Sequence, residues 1–269
     1  MIRFPAVAGR FYPGSQSSLT RELAKLVPGI AAVEKQDAIA VVSPHAGYIY
    51  SGAVAGETLA RVKIPAAVII LGPNHHGHGA AVAVMAAGAW QMPMGDVPIN
   101  EELAAKLLSL SGLAVEDEVA HRFEHSLEVQ VPFLQYLQKD LTIIPIVLSR
   151  ISCEACLELG KHIAAAIKSY GKPVLIVAST DMTHYESRVS ASAKDQMALE
   201  HIERLDPEGL YSTVLDRGIS MCGVIPTTTA LAAAKELGAG KAEIVRYTDS
   251  GETSGDIRQV VGYAGIIIS

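Results

Sequence analysis

AAVIILGPNHHGH, residues 66–78, runs from a continuous apolar segment straight into a cluster of histidines. Two other segments have the same form: AIAVVSPHAGY, residues 38–48, and PVLIVASTDMTHY, residues 173–185. Short apolar runs that end in Gly, Pro and polar residues are typical of strands buried on both faces of a parallel sheet. Ligands of open α/β folds bind at the edge formed by the carboxyl ends of such strands. If the three strands are neighbours, their polar clusters form one site.

The rest of the chain alternates β-branched segments with helical periodicity, which indicates strand-helix-strand units. The predicted strands are residues 38–43, 66–72, 141–148 and 173–179, with further candidates of undetermined direction at 81–86, 242–247 and 259–268. The predicted helices are residues 19–26, 101–110, 153–170, 191–205, 207–216 and 229–237, and their start signals are Ser17 or Ser18, Asn100, Ser152 and Asp206. No linker or repeat divides the chain. We therefore predict a single α/β domain over residues 1–269, with a central, mostly parallel or mixed sheet flanked by helices.

Composition excludes several classes of partner. The 269 residues carry 28 acidic and 22 basic side chains, and this balance provides no general basic surface for nucleic acid or anionic lipid. The apolar runs are the length of strands and far shorter than a membrane span. The N-terminal residues lack the apolar core of a signal peptide, so we expect a cytoplasmic protein with neither nucleic acid nor membrane partners.

The polar clusters contain the candidate site residues His45, His75, Asp181 and His184. Each has an ordinary structural interpretation, since a histidine after a strand often stabilises a loop and an aspartate often caps a turn. Three strands that end in the same way favour a shared functional site over three separate coincidences.

Cys222 precedes the predicted helix at 229–237. A helix N-terminus favours the thiolate, which would make Cys222 a metal ligand or a nucleophile. A small buried apolar side chain is an equally good interpretation of a free cysteine.

His125 and Glu128 are three residues apart and would share one face if this stretch were helical. Such a pair could support a ligand or transfer protons, although a solvated first helical turn fits as well. Cys153 and Cys156 have the C-x-x-C spacing of redox and zinc sites, but no second pair accompanies them, so the signal is weak.

Read in order, these segments resemble the Memo family. The matching stretches are residues 5–13, 43–48, 71–76, 124–128, 179–184 and 222–223, which span nearly the whole chain. The resemblance implies a fold like that of the class III extradiol dioxygenases, whose sheet carries non-haem iron at a His/His/carboxylate site.

The resemblance also implies a metal site. The corresponding ligands are His45, His75 and Cys222, with Asp181, His184 and His125 as catalytic candidates lining the same pocket. A thiolate in place of the carboxylate departs from the dioxygenase pattern and argues against ring cleavage. Two imidazoles and a thiolate suit Fe(II), Cu or Zn, and the family's association with iron and copper favours those two.

Three functions remain open. The first is a metal-dependent oxidoreductase acting on an unknown small molecule or peptide, with His184 or His125 transferring protons and Asp181 orienting. The second is a non-catalytic metal- or peptide-binding module that acts through protein association, and the resemblance implies a functional link to a radical SAM protein and an AMMECR-like protein. The third is a metal-independent cysteine hydrolase with Cys222 as nucleophile, His184 or His75 as base and Asp181 as orienter.

Overall fold

A mixed sheet with helices on both faces forms the body of the fold. The computed structural model describes residues 1–29 and 34–269. Its strands are β1 (Ile2–Arg3), β2 (Ala40–Ser43), β3 (Ala67–Pro73), β4 (Val82–Val84), β5 (Ala89–Trp90), β6 (Val97–Pro98), β7 (Val115–Glu116), β8 (Thr142–Leu148), β9 (Val174–Ser179), β10 (His184–Glu186), β11 (Ala242–Asp249) and β12 (Val260–Ile268). Its helices are α1 (Gln16–Leu26), α2 (Tyr48–Ala60), α3 (Glu101–Leu110), α4 (Val131–Leu137), α5 (Cys153–Tyr170), α6 (Arg188–Glu203), α7 (Pro207–Asp216), α8 (Val224–Glu236) and α9 (Gly251–Ser254).

The main sheet has the strand order β10-β12-β2-β9-β3-β8-β4-β7, and β11 pairs with β12. Its central strands β2, β9, β3 and β8 are parallel. β4 runs antiparallel to β8 and β12 runs antiparallel to β2, which gives the candidate strands at 81–86 and 259–268 their directions. β1, β5 and β6 form a separate small sheet. The predicted α/β class with a mostly parallel, mixed sheet is confirmed.

Successive residues of the central strands pack against opposite helical layers. Val41 and Ile70 contribute to the core shared with α1, α2 and α4. Val42 and Leu71, one residue further along each strand, contribute to the core shared with α5, α7 and α8. This alternation is the two-residue period of a strand, and both of its phases are apolar because both faces of the sheet are covered.

Helix starts agree with three of the four predicted signals. The side chains of Asn100, Ser152 and Asp206 accept hydrogen bonds from the first turns of α3, α5 and α7. The fourth prediction is wrong: α1 begins at Gln16 and is capped by Ser15, whose hydroxyl accepts from the Ser18 N–H. The first turn of α1 is polar and largely exposed, so apolar periodicity locates the helix only from Leu19 onward.

Helix α2 was not predicted from the sequence. Most of its residues are buried, so it lacks the polar face that makes a surface helix recognisable. Small residues let it approach α1 closely: a Cβ at Gly56 would lie 2.2 Å from the backbone oxygen of Leu26. Close backbone contact therefore takes the place of an amphipathic pattern.

No helix in the described ranges combines the length and the apolar character needed to cross a membrane.

Candidate metal centre

The three strands that end in polar clusters are neighbours. β9 lies between β2 and β3 and is parallel to both, with Ser179 opposite Ser43 and Ala178 opposite Leu71. The loops that carry His45, Asp181 and His75 therefore leave the sheet at one edge. This juxtaposition is the one that the sequence predicted.

Three histidines converge at this edge. One ring nitrogen from each of His45, His75 and His125 lies within 4.8 Å of the others. The rings of His75 and His125 are stacked with centroids 4.6 Å apart, and His45 meets both of them edge-on at 5.3 and 5.6 Å. Three imidazoles at this separation can hold one metal ion.

Ser179 fixes which nitrogen of His45 carries the proton. The Ser179 hydroxyl donates its only hydrogen to the backbone oxygen of Ser126, at 2.6 Å. Its oxygen must therefore accept from Gln130 Nε2, at 2.8 Å, and from His45 Nδ1, at 3.0 Å. His45 is thus protonated on Nδ1 and directs the lone pair of Nε2 into the cluster, as a metal ligand requires.

Glu124 fixes His75 in the same way. Its Oε1 lies 2.9 Å from His75 Nδ1 and its Oε2 accepts from the His75 backbone N–H at 2.6 Å. The same Oε1 is 3.4 Å from His125 Nδ1. Burial alone would raise the pKa of Glu124, but the hydrogen bonds from His75 and from the Ser126 N–H hold it well below its usual value. An ionised carboxylate accepts from His75 Nδ1–H and leaves Nε2 free to bind a ligand.

Burial favours the neutral forms of His45 and His125. It lowers the pKa of His45 well below the usual value, and the proximity of His75 and His125 lowers it further. Burial also lowers the pKa of His125 to about 4, despite the opposing charge of Glu124. Neutral imidazoles are the form that binds a metal, so these two side chains need not lose a proton at neutral pH.

Cys222 lies on the His45 side of the cluster, with its Sγ 3.3 Å from His45 Nε2. It sits just before α8, where Gly223 permits close contact with the end of β9: a Cβ there would lie 2.5 Å from the Ser179 backbone oxygen. Burial and then the charge of Asp181 raise the pKa of the Cys222 thiol. Burial therefore opposes the thiolate that a helix N-terminus favours, and the role of Cys222 stays a prediction.

Asp181 contacts this thiol through its backbone, and His184 contacts Ser220, two residues before Cys222. Asp181 Oδ1 accepts from the His45 backbone N–H at 2.7 Å, so Asp181 positions the loop rather than the ring of His45. Burial raises the pKa of Asp181 to about 6, against the opposing effect of that N–H. His184 is half-buried and its Nδ1 donates to the Ser220 backbone oxygen at 3.0 Å, which leaves Nε2 as the proton acceptor. The catalytic roles of Asp181, His184 and His125 stay predictions.

The family model described as Memo-like protein matches residues 3–267. The chain belongs to the Memo-like protein family. This Memo-like chain is 43% identical over 267 residues to a MEMO1 family protein of Aquifex aeolicus, covering 99% of this chain and 98% of that relative. It is 41% identical over 269 residues to a MEMO1 family protein of Methanosarcina barkeri, covering 99% of this chain and all of that relative.

A solved structure shares the fold. The uncharacterized protein JW3007 from Escherichia coli K12 matches 85% of the Memo-like chain and 98% of its own length, with a TM-score of 0.58 and 15% sequence identity. At that identity the likeness concerns the fold of the chain and leaves its chemistry open.

The pairing of His125 with Glu128 is absent from the site of this Memo-like chain. His125 lies in an irregular segment, and a 3-10 turn begins only at Glu128, so the two do not share a helical face. Both carboxylate oxygens of Glu128 are used elsewhere: they accept from the Ala6 N–H, the Val7 N–H and the Tyr12 hydroxyl, and Oε2 lies 2.8 Å from Arg3 Nη1. Glu128 thus ties the N-terminal segment to the site.

The remaining thiols lie on α5. Cys153 and Cys156 are free, Cys156 is fully buried in the core, and burial raises the pKa of both. This environment favours packing over reactivity.

Sequence reasoning missed Ser179, Glu124 and Gln130, which hold the ligand side chains in place. Glu124 and Ser179 both lie inside conspicuous segments, beside His125 and at the end of the third apolar strand. Their roles become visible only when the strands are assembled, because their partners are 49 and 134 residues away in the chain. Such supporting groups are a regular part of metal sites.

Proposed function

We propose that this chain is a metal-dependent oxidoreductase, with one iron or copper ion held by His45, His75 and His125 and with Cys222 as a further donor beside His45. The observation that carries the proposal is the convergence of three imidazoles, each with a ring nitrogen within 4.8 Å of the others. Two of them have their outer nitrogen fixed by a hydrogen bond, which is the arrangement of a prepared metal site. The substrate is an unknown small molecule or peptide.

The donor set suits a redox-active ion. Imidazoles bind Zn, Cu and Fe, and a thiolate adds preference for the softer ions. A bound ion of this kind would supply electron transfer and Lewis acidity. Around it, the pKa of about 6 lets Asp181 hold or release a proton near neutrality, and His184 offers a second proton-transfer group.

The proposal is tested by elemental analysis of protein purified without oxygen. Wild type should hold close to one equivalent of iron or copper, and His45→Ala and Cys222→Ala should lose it. The matched control is His78→Ala, since His78 is exposed and outside the cluster. Wild type that stays metal-free after anaerobic reconstitution with either ion would contradict the proposal. Oxygen uptake by loaded protein with reductants and candidate substrates then tests the oxidoreductase activity.

A second candidate is the binding module, and one surface feature favours it. Met1, Ile2, Phe4, Val119 and Phe123 are exposed and line a groove of about 660 Å³. Exposed apolar side chains in one groove are typical of interaction sites. We propose the AMMECR-like protein as its partner. A purified AMMECR-like protein should bind wild type in calorimetry and bind Phe4→Asp much more weakly, and equal binding would contradict the proposal.

A further inference from the structure

A second, smaller cavity adjoins the histidine cluster. It has a volume of about 390 Å³, and its lining includes Arg10, Phe11, His76, Phe123 and His125. His125 belongs to both the cluster and this cavity, so a molecule in the cavity lies directly beside the proposed metal ligands. The volume is in the range that small-molecule sites occupy.

Arg10 brings an uncompensated positive charge to this cavity. Within the described ranges no carboxylate lies in ion-pair distance of its guanidinium. The acidic side chains nearby have other partners: Glu22 pairs with Lys25 at 2.9 Å, Glu128 with Arg3 at 2.8 Å, and Glu124 with His75 at 2.9 Å. Arg10 is exposed, so its guanidinium is open to a ligand that enters the cavity from solvent. Arginine binds carboxylates and other oxyanions through paired N–H donors.

Two phenylalanines give the cavity flat apolar surfaces. The ring of Phe11 lies 4.8 Å from the ring of His125. Phe123 is 52% exposed, and the guanidinium of Arg122 lies 5.2 Å from its ring. An exposed aromatic ring in a cavity provides a surface on which a planar ligand packs.

We propose that this cavity binds a small organic anion with a flat apolar body, its anionic group on Arg10 and its body against Phe11 and Phe123. The inference rests on the proposed function in one respect, since it identifies this anion as the substrate class of the metal site. The binding itself depends on Arg10 and the two rings and does not require the ion.

The test separates charge from shape with three probes: benzoate, its neutral analogue benzamide, and acetate, which keeps the charge and lacks the ring. Each is titrated at millimolar concentration into chelator-treated protein and followed by ligand-observed NMR. Benzoate should bind wild type about tenfold or more tightly than either of the others, because it alone satisfies both Arg10 and the rings. Equal binding of benzoate and benzamide, or no binding of benzoate, would overturn the inference.

The variant Arg10→Gln should weaken benzoate by about tenfold and leave benzamide unchanged. Arg21→Gln is the matched control, because Arg21 is an exposed arginine on α1 that does not line the cavity. Equal benzoate affinity in Arg10→Gln and Arg21→Gln would also overturn the inference. Phe11→Leu provides an independent test, with benzoate weakened and acetate unaffected.

Metal content of the same samples distinguishes the two proposals. Wild type that holds metal but does not distinguish benzoate from benzamide supports the proposed function and overturns this inference. If wild type cannot be loaded with metal but Arg10→Gln weakens benzoate binding, this inference is supported and the proposed function is contradicted. Arg10→Gln should retain the metal content of wild type, because Arg10 is not among the ligands.

Discussion

The buried Arg3–Glu128 ion pair and the His45–His75–His125 cluster are neighbours in the chain, since His125 and Glu128 are three residues apart. They use their polar groups in opposite ways. At the ion pair, both oxygens of Glu128 are occupied by donors from the N-terminal segment, and the guanidinium of Arg3 also donates to the backbone oxygens of His121 and Glu124. At the cluster, Ser179 and Glu124 each occupy one nitrogen of a histidine and leave the other directed at its neighbours.

The difference separates a scaffold from a ligand site. A polar group whose hydrogen-bonding capacity is used within the protein has nothing to offer a ligand, and its loss costs stability. A group that is fixed on one side and free on the other is ready to bind. The comparison predicts that substitutions at Glu128 affect folding, whereas substitutions at Glu124 and Ser179 affect metal affinity.

The largest effect is expected from Glu128→Ala. It leaves Arg3 buried without its partner, and breaking a buried ion pair in this way costs about 3–5 kcal/mol. The measurement is the free energy of unfolding from urea denaturation of metal-free protein. Arg3 and Glu128 have side chains 5% and 0% exposed, so little solvent screening is available.

The comparison would break if Glu128→Ala lowered metal affinity at unchanged stability. Glu22→Ala is the control, since its ion pair with Lys25 is exposed and should contribute less than about 1 kcal/mol.

The next effect is on metal affinity. Glu124→Gln removes the charge that faces His75 and His125 and should lower metal affinity by about 10- to 100-fold, as losses of outer partners in metal sites do. Competition with a chelator of known affinity measures this change. Glu57→Gln is the control, because Glu57 pairs with Arg61 on α2 at a distance from the cluster.

The free energy of unfolding should also depend on pH through His121, which is buried beside the scaffold residue Arg3. Burial and the charge of Arg3 lower the pKa of His121 to about 3, against about 6.5 when unfolded. Between these two pKa values, His121 binds a proton in the unfolded chain but not in the folded one. His121 therefore does not lower the free energy of unfolding above about pH 6.5, and it lowers it progressively on acidification. The loss from pH 6.5 to 5 is about 2 kcal/mol.

Urea denaturation of wild type and His121→Gln at pH 7 and pH 5 isolates this contribution. Burial also lowers the pKa of His45 and His125, so both proteins should lose stability, and wild type should lose more. If the two proteins lose the same free energy of unfolding between pH 7 and pH 5, His121 does not contribute to the pH dependence.

The smallest effect is expected from Ser179→Ala. The fold should persist, while His45 loses the acceptor that fixes its protonated nitrogen, and metal affinity should fall by about tenfold. Isothermal titration of metal-free protein measures the change. Ser212→Ala serves as the control, since Ser212 is exposed on α7 and donates only to a backbone oxygen of its own helix. A fall as large as that of His45→Ala would mean that Ser179 has a more direct role.

Most of the sheet was predictable, and the reason is physical. The central strands are covered on both faces, so they are continuously apolar, and their polar ends identified the site edge. Helix α2 was missed for a related reason, because burial on all sides removed its polar face. Local pattern therefore identifies strands covered on both sides more readily than helices in the same position.

The site was predictable as a set of residues but not as a set of roles. His45, His75, Asp181 and Cys222 were recognised from sequence, and they do lie together. The state of the Cys222 thiol was not, because its pKa is set by burial and by the charge of Asp181, and neither can be read from its position before a helix. The hydrogen bonds from Ser179 and Glu124 likewise depend on contacts between distant segments.

The position of β9 between β2 and β3 sets the order in which the site is assembled during translation. A chain that has emerged from the ribosome as far as His125 already carries all three imidazoles. The strand that must separate His45 from His75, residues 174–179, is still to be synthesised, and so is the serine that fixes His45. We therefore expect the nascent chain to have little affinity for metal until most of its length is complete, which would protect it from capturing an ion before the sheet can enclose it.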